Sequence, residues 1–161
     1  MPIAYLATVG SSEKPAFNSI KAVLQKYKPE VRRILLLCSQ RDKRRGIPGT
    51  EEVGERIKAK ISGLPCTSGV EVKILRVSQE SIEEVYNKVK MAAEEAKRDG
   101  LELWVDITGG RKTMSSGALL AATELGLKCF YFWLYDPARN RDKELEEMQE
   151  FIDYEVVRVR A

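Results

Sequence analysis

The sequence predicts an α/β fold, a Rossmann-like three-layer sandwich around a mostly parallel six-stranded sheet in the order 3-2-1-4-5-6. Three observations lead there. Short apolar runs alternate with amphipathic stretches four times before two closing strand-like runs, a pattern that calls for parallel strands, right-handed crossovers and helices on both faces. Turns rich in glycine and hydroxyls follow the first and fourth apolar runs, and in this order those two strands are neighbours at the point where the winding reverses. A chain of 161 residues that is 43% hydrophobic can bury one core, so residues 1–161 are expected to form a single domain.

Ile3 to Val9 is the first apolar run, and Gly10-Ser11-Ser12-Glu13-Lys14-Pro15 turns out of it. Phe17, Ile20, Leu24 and Tyr27 recur at helical spacing, so Ala16 to Tyr27 reads as a helix with Pro15 suited to its start and Pro29 ending it. Val31 to Cys38 is a second strand, followed by the basic loop Ser39 to Gly49. Thr50 is a plausible N-cap for a helix carrying Val53, Ile57 and Ile61, which Gly63 and Pro65 close. Val70 to Val77 alternates imperfectly, as a strand near the sheet edge does. Ser81 with Glu84 makes a capping box before a long helix whose stripe is Ile82, Val85, Tyr86, Val89, Ala93 and Ala96, and Asp99-Gly100 ends it. Leu101 to Val105 is the fourth strand and Ala118 to Leu125 a helix of small residues. Leu127 to Tyr135 is an aromatic-rich strand, Asp136 to Glu150 is polar, and Phe151 to Arg160 alternates as a last strand lying antiparallel beside the fifth.

Composition excludes several classes of function. No apolar run approaches the length of a membrane span, and Met1-Pro2-Ile3 leads straight into a strand, which points to a cytoplasmic protein. Cys38, Cys66 and Cys129 lack C-x-x-C spacing and read as small buried hydrophobes, not bridges or zinc ligands. There is no histidine, so no Ser-His-Asp triad, no Cys-His pair and no His-ligated metal exists, and neither a metal nor a cofactor is expected. A net charge of +3 does not advertise broad nucleic-acid binding.

The most informative stretch is Asp106-Ile107-Thr108-Gly109-Gly110-Arg111-Lys112-Thr113-Met114. A strand, a glycine turn and a helix start leave backbone N–H groups pointing outward at the positive end of the helix dipole, a setting that suits phosphate. It is not a Walker loop, because Arg111 intervenes before Lys112 and the upstream glycine is missing, and the G-x-G-x-x-G fingerprint is absent. Taken alone, it also fits a capped turn with two solvated cations. The candidate ligand residues are Gly10, Ser11, Ser12, Gln40, Arg41, Thr108, Gly109, Gly110, Arg111, Lys112 and Thr113, with Tyr135 as a stacking candidate. Met114 and Thr123 read as packing residues, and Asp106 as a brace for the turn through hydrogen bonds to backbone N–H groups.

The same nine residues resemble the Asp-x-Thr-Gly-Gly-x-Lys-x-Met signature of the CRISPR-associated Rossmann fold (CARF) family, and Gly10-Ser11-Ser12 is similar to that family's other ligand loop. The resemblance covers essentially the whole chain. It implies a homodimer that binds cyclic oligoadenylate, the messenger of type III CRISPR systems, across the subunit interface, with cyclic tetra-adenylate the ring expected here. Members usually carry a C-terminal effector. None follows the last strand of this sequence, so the chain is expected to act either as a metal-independent ring nuclease or on a separate effector protein. In the first case a ribose 2′-hydroxyl is the nucleophile, Lys112 stabilises charge at phosphorus and Ser11 or Ser12 orients an oxygen. Two readings of other classes remain beside it: an interaction module using the Arg41 to Arg45 loop, which also fits a solvated loop, and a generic nucleotide- or RNA-binding domain with a strong salt dependence.

Overall fold

The sheet is built outward from β1 (Ile3–Thr8), an uninterrupted apolar strand with no solvent-facing side. Such strands suit the middle of a parallel sheet, where helices cover both faces. β1 pairs in parallel with β2 (Val31–Ser39) on one side and β4 (Glu102–Asp106) on the other, with Tyr5 opposite both Ile34 and Trp104. β3 (Glu71–Val77) lies outside β2 as an edge strand, β5 (Lys128–Leu134) lies outside β4, and β6 (Tyr154–Arg160) closes the other edge antiparallel to β5. The order is β3-β2-β1-β4-β5-β6, as the sequence predicts. This computed structural model describes residues 1–78 and 81–160; Gln79, Glu80 and Ala161 lie outside the described residues.

Strand alternation divides the core into two layers. Tyr5, Ile34, Leu36, Trp104, Phe130 and Phe132 face α1 (Glu13–Tyr27) and α2 (Glu51–Ile61). Leu6, Leu35, Leu37, Leu103, Val105 and Cys129 face α3 (Ile82–Arg98) and α4 (Lys112–Leu125). Between β5 and β6 the polar stretch folds into a short helix, α5 (Pro137–Asn140), and a 3-10 turn at Leu145–Glu147 that packs on α1 through buried Leu145.

The element boundaries depart from the sequence reading where side chains outside the local pattern intervene. α4 begins at Lys112, six positions ahead of Ala118, although Ser115, Ser116 and Gly117 are weak helix formers. Ser115 bonds back to the carbonyls of Arg111 and Lys112, and Gly117 is where α3 crosses: a Cβ there would lie 2.7 Å from the Ile82 carbonyl and 2.8 Å from Val85 Cβ. α1 begins at Glu13, so Pro15 sits inside its first turn, where a missing N–H costs nothing. β6 begins at Tyr154 instead of Phe151, because Asp153 accepts from the Gln149 N–H and Phe151 adopts φ +69°, which ends the strand pattern. Thr50 stands at the N-cap of α2, but its hydroxyl accepts from the Ser39 N–H at 2.9 Å and so ties the helix to β2. Ser81 caps α3 by accepting from the Glu84 N–H, while the Glu84 carboxylate accepts from the Ser78 N–H. Cys38 and Cys129 are buried, their thiols pushed up to about 12 by burial; Cys66 is exposed, contrary to the expectation, because it lies in the surface 3-10 turn Pro65–Thr67.

The crossing at Gly117 makes a direct prediction. Gly117→Val forces a side chain into backbone and Val85, and should cost about 1 to 3 kcal/mol. Thermal unfolding should show a midpoint lower by several degrees.

A candidate ligand site at the carboxyl end of the sheet

β1 and β4 end side by side, and their turns touch. A Cβ on Gly10 would lie 2.9 Å from the Gly110 backbone nitrogen, and one on Gly109 would collide with the Thr8 carbonyl. Gly110 adopts φ +91°, a conformation that favours glycine. The Thr8 hydroxyl donates to the Gly109 carbonyl and fastens the second turn to the end of β1. The two turns singled out in the sequence thus form one surface. Ser11 and Ser12 are exposed on it, and Ser12 stands at the N-cap of α1 without a cap bond from its hydroxyl.

Beneath this surface lies a buried carboxylate. Asp106 accepts from Tyr5 Oη at 2.6 Å and Ser19 Oγ at 2.5 Å through Oδ2, and from the Thr108 N–H at 2.9 Å and Thr108 Oγ1 at 2.6 Å through Oδ1. Thr108 Oγ1 in turn accepts from the Phe132 N–H at 2.9 Å. The brace expected of Asp106 is present, but it is built chiefly from hydroxyls and only one backbone N–H. Burial raises the Asp106 carboxyl above the ordinary range, and the hydrogen bonds from Ser19, Thr108 and Tyr5 pull against that rise. Burial, and then the neighbouring Asp106 charge, raises the Tyr5 phenol well above its usual value.

α4 starts directly after the second turn. Arg111 is its N-cap, with an exposed side chain, and Lys112 is its first residue, also exposed; neither is ion-paired among the described residues. The backbone N–H groups of Gly110, Arg111 and Lys112 have no acceptor among the described residues, and these three donors and the two exposed cations lie within three consecutive residues at the positive helix end. The first turn of α1 is clamped from both sides. Glu13 pairs with Lys60 at 2.9 Å and Arg56 at 3.4 Å on α2, while Lys14 donates to the Asp142 carbonyl and lies 3.7 Å from Glu144.

The remaining candidates are placed differently. Gln40 and Arg41 follow β2, one strand over from β1, and Arg41 lines a separate shallow hollow with Pro48, Gly49, Glu51 and Glu52. The basic loop closes on itself through reciprocal backbone bonds between Asp42 and Ile47, leaving Lys43, Arg44 and Arg45 exposed at its tip. Thr108 faces inward with its hydroxyl engaged. Met114 is fully buried, as expected, whereas Thr123 is exposed on α4 and does not pack. Tyr135 is over a third exposed and donates to Glu155 at 2.8 Å. The sequence reading missed Tyr5, Thr8 and Ser19; the available signal was a hydroxyl inside each apolar pattern, with Ser19 falling between Ala16 and Val23 on the buried stripe of α1.

No family model and no curated protein sequence matches the chain. Among solved structures, it is similar to Can2 of Sulfobacillus thermosulfidooxidans in complex with cyclic tetra-adenylate, with a TM-score of 0.59 and 16% identity over 81% of this chain and 32% of that one. It is also similar to a type III CRISPR defence DNA nuclease activated by cyclic oligoadenylate, with a TM-score of 0.56 and 21% identity over 81% of this chain and 18% of the other. A third is Enterococcus italicus Csm6 bound to cyclic hexa-2′-fluoro-hexa-dAMP, with a TM-score of 0.62 and 13% identity over 98% of this chain and 41% of that one. The chain shares their fold. It spans less than half the length of each, so the likeness concerns one portion of those larger molecules. The fold that the motif resemblance implies is the one observed.

The hydroxyl cage predicts an alkaline effect. A phenol whose folded pKa lies above the unfolded value of about 10 supports stability below that value and loses the contribution as pH rises through it. Tyr5→Phe should cost about 1.5 to 3 kcal/mol at pH 7 through the lost bond to the carboxylate. Its stability should then fall less steeply than the wild type's between pH 9 and about 11, as urea titrations would show.

Proposed function

We propose that this chain is a CARF domain that binds cyclic oligoadenylate, with cyclic tetra-adenylate the preferred ring, and opens it without a metal. The observation that carries the reading is the contact of the Gly10–Ser12 turn with the Thr108–Lys112 turn, where unpaired backbone donors, Arg111 and Lys112 converge at the reversal of strand order. An anionic ring finds there a rigid set of N–H groups for one phosphate, cations for its neighbours and the Ser11 and Ser12 hydroxyls for ribose or phosphate oxygens. Three proteins of the same fold were solved with, or are activated by, ligands of this class.

A ring of repeating phosphates calls for repeated sites, which a two-fold dimer supplies. The support for a homodimer is an uncovered apolar face. α3 and α4 shield the sheet as far as β5, and beyond them Trp133 is 50% exposed, Val159 on β6 is 42% exposed and Leu120 on the outer side of α4 is 52% exposed. Alternation puts Trp133 on the same face as Cys129 and Tyr131, and Tyr131 is opposite Val157. Leu120 belongs to the helix that begins at Lys112, and we take these exposed apolar side chains as the surface through which two copies pair, each copy supplying one anion site. The double variant Leu120→Glu, Val159→Glu should be monomeric in sedimentation equilibrium and bind the ring at least about tenfold more weakly.

The cleavage step needs no histidine. A ribose 2′-oxygen attacks the adjacent phosphorus, the 5′-oxygen of the next nucleotide leaves and takes up a proton, and the product carries a 2′,3′-cyclic phosphate. Lys112 stabilises the charge that grows on the phosphoryl oxygens, and Ser11 orients the attacking or departing oxygen. Incubation with cyclic tetra-adenylate in excess EDTA should yield linear product with the cyclic phosphate. Lys112→Ala should slow that cleavage by about a hundredfold or more while retaining measurable binding. Binding with no product in the wild type would make the chain a sensor for a separate effector protein; binding of neither tetra- nor hexa-adenylate would remove the reading.

A further inference from the structure

β4 pairs with β5 only as far as Asp106 opposite Phe130, so residues 131–134 of β5 run on past the end of their neighbour. The gap they leave is a cleft of about 400 Å³, bounded by Pro15 of α1, Thr108, Phe132 and Trp133 of β5, Asn140 at the end of α5 and Arg141 just after it. Its walls are largely apolar, and Thr108 links it to the phosphate-accepting turn. A pocket of this size is ample for a purine, and aromatic and proline faces suit a planar ring.

The lining contains one unsatisfied polar side chain. Asn140 is 1% exposed, and its amide orientation is fixed because Nδ2 faces two acceptors, the Tyr135 carbonyl at 2.7 Å and Asp153 Oδ1 at 3.3 Å. Oδ1 is therefore the atom left over, and it is buried with no donor among the described residues. A buried carbonyl without a donor is uncommon in a folded protein and points to a missing partner. The neighbouring Asn18 shows the contrast: its Oδ1 accepts from the Leu145 N–H and its Nδ2 donates to the Lys143 carbonyl.

The geometry points to this cleft as the nucleobase pocket of the ring-binding site, with Asn140 reading adenine through the exocyclic amino group. This rests on the cyclic-oligoadenylate reading above. An amino group supplies the donor that Asn140 Oδ1 lacks, whereas a six-position carbonyl, as in hypoxanthine, would set oxygen against oxygen. Pro15 and Phe132 offer apolar surface on the α1 side of the sheet, and Arg141, exposed at the rim, faces the sugar-phosphate side.

The test is calorimetric titration of the intact protein with cyclic tetra-adenylate and with cyclic tetra-inosinate, repeated on Asn140→Leu. The wild type should prefer the adenylate ring by about ten- to a hundredfold, and the variant should bring the ratio near one. Equal wild-type affinities, or an unchanged ratio in the variant, would overturn the pocket assignment while leaving ring binding intact. Failure of both rings to bind would overturn the ring-binding reading and the pocket with it. Should Asn140→Leu fail to fold, intermolecular NOEs from adenine H2 to the Phe132 ring protons in the wild type decide the matter, and their absence overturns the assignment.

Discussion

The carboxylate of Asp106 is buried with no cation bonded to it among the described residues, and everything proposed for the site depends on how it is held. Four donors converge on it from β1, α1 and the turn after β4. A charge taken out of water is tolerated only when its lone pairs are filled by well-placed donors. Removing any one of them leaves a strong acceptor short, so the cage resists partial opening. It couples three elements far apart in sequence, and through Thr108 and the Phe132 N–H it reaches β5 as well.

This arrangement resolves an apparent electrostatic conflict. A carboxylate close to a proposed phosphate site is unfavourable in the Coulomb sense, yet Asp106 faces inward, and its charge is partly offset by hydroxyl and amide dipoles. The opposite sign gathers at the start of α4: the N–H groups of Gly110 to Lys112, without acceptors among the described residues, the α4 dipole, and two exposed side-chain cations. The acid holds the loop from below, and the loop presents positive potential above. An aspartate in the motif is therefore compatible with an anionic ligand.

Much of the architecture was legible in the sequence because burial on both faces writes continuous apolar runs into β1, β2, β4 and β5, and Gly10 and the Gly109-Gly110 pair mark two of the turns between strand and helix. Strand order followed from alternation together with the placing of those turns, and their contact is seen in the approach of Gly10 to Gly110. What escaped depends on contacts across the fold. Gly117 looks like a helix breaker until α3 is laid over it, Thr50 looks like a simple cap until β2 is beside it, and Ser19 is an unremarkable helix residue until Asp106 is beneath it. The same holds for Asn140, which lies in a polar stretch whose fold is set by Asp153 and Tyr135, not by any local periodicity.

A site that recognises a flexible cyclic ligand gains most from not having to order itself, since each loop frozen on binding subtracts from affinity. Here the ordering is done by folding. The Thr8 hydroxyl ties the second turn to β1, and Gly109 and Gly110 fit only because neither has a side chain. Glu13 and Lys14 pin the start of α1 to α2 on one side and to the segment before the 3-10 turn on the other. Surface ion pairs of this kind contribute little to global stability. Their placement around one helix turn matters more than their individual strength, because that turn carries Ser11 and Ser12 and abuts the cleft at Pro15. For the cleavage proposed above, which has no histidine to draw on and must come from alignment and fixed dipoles, such rigidity would be the main resource.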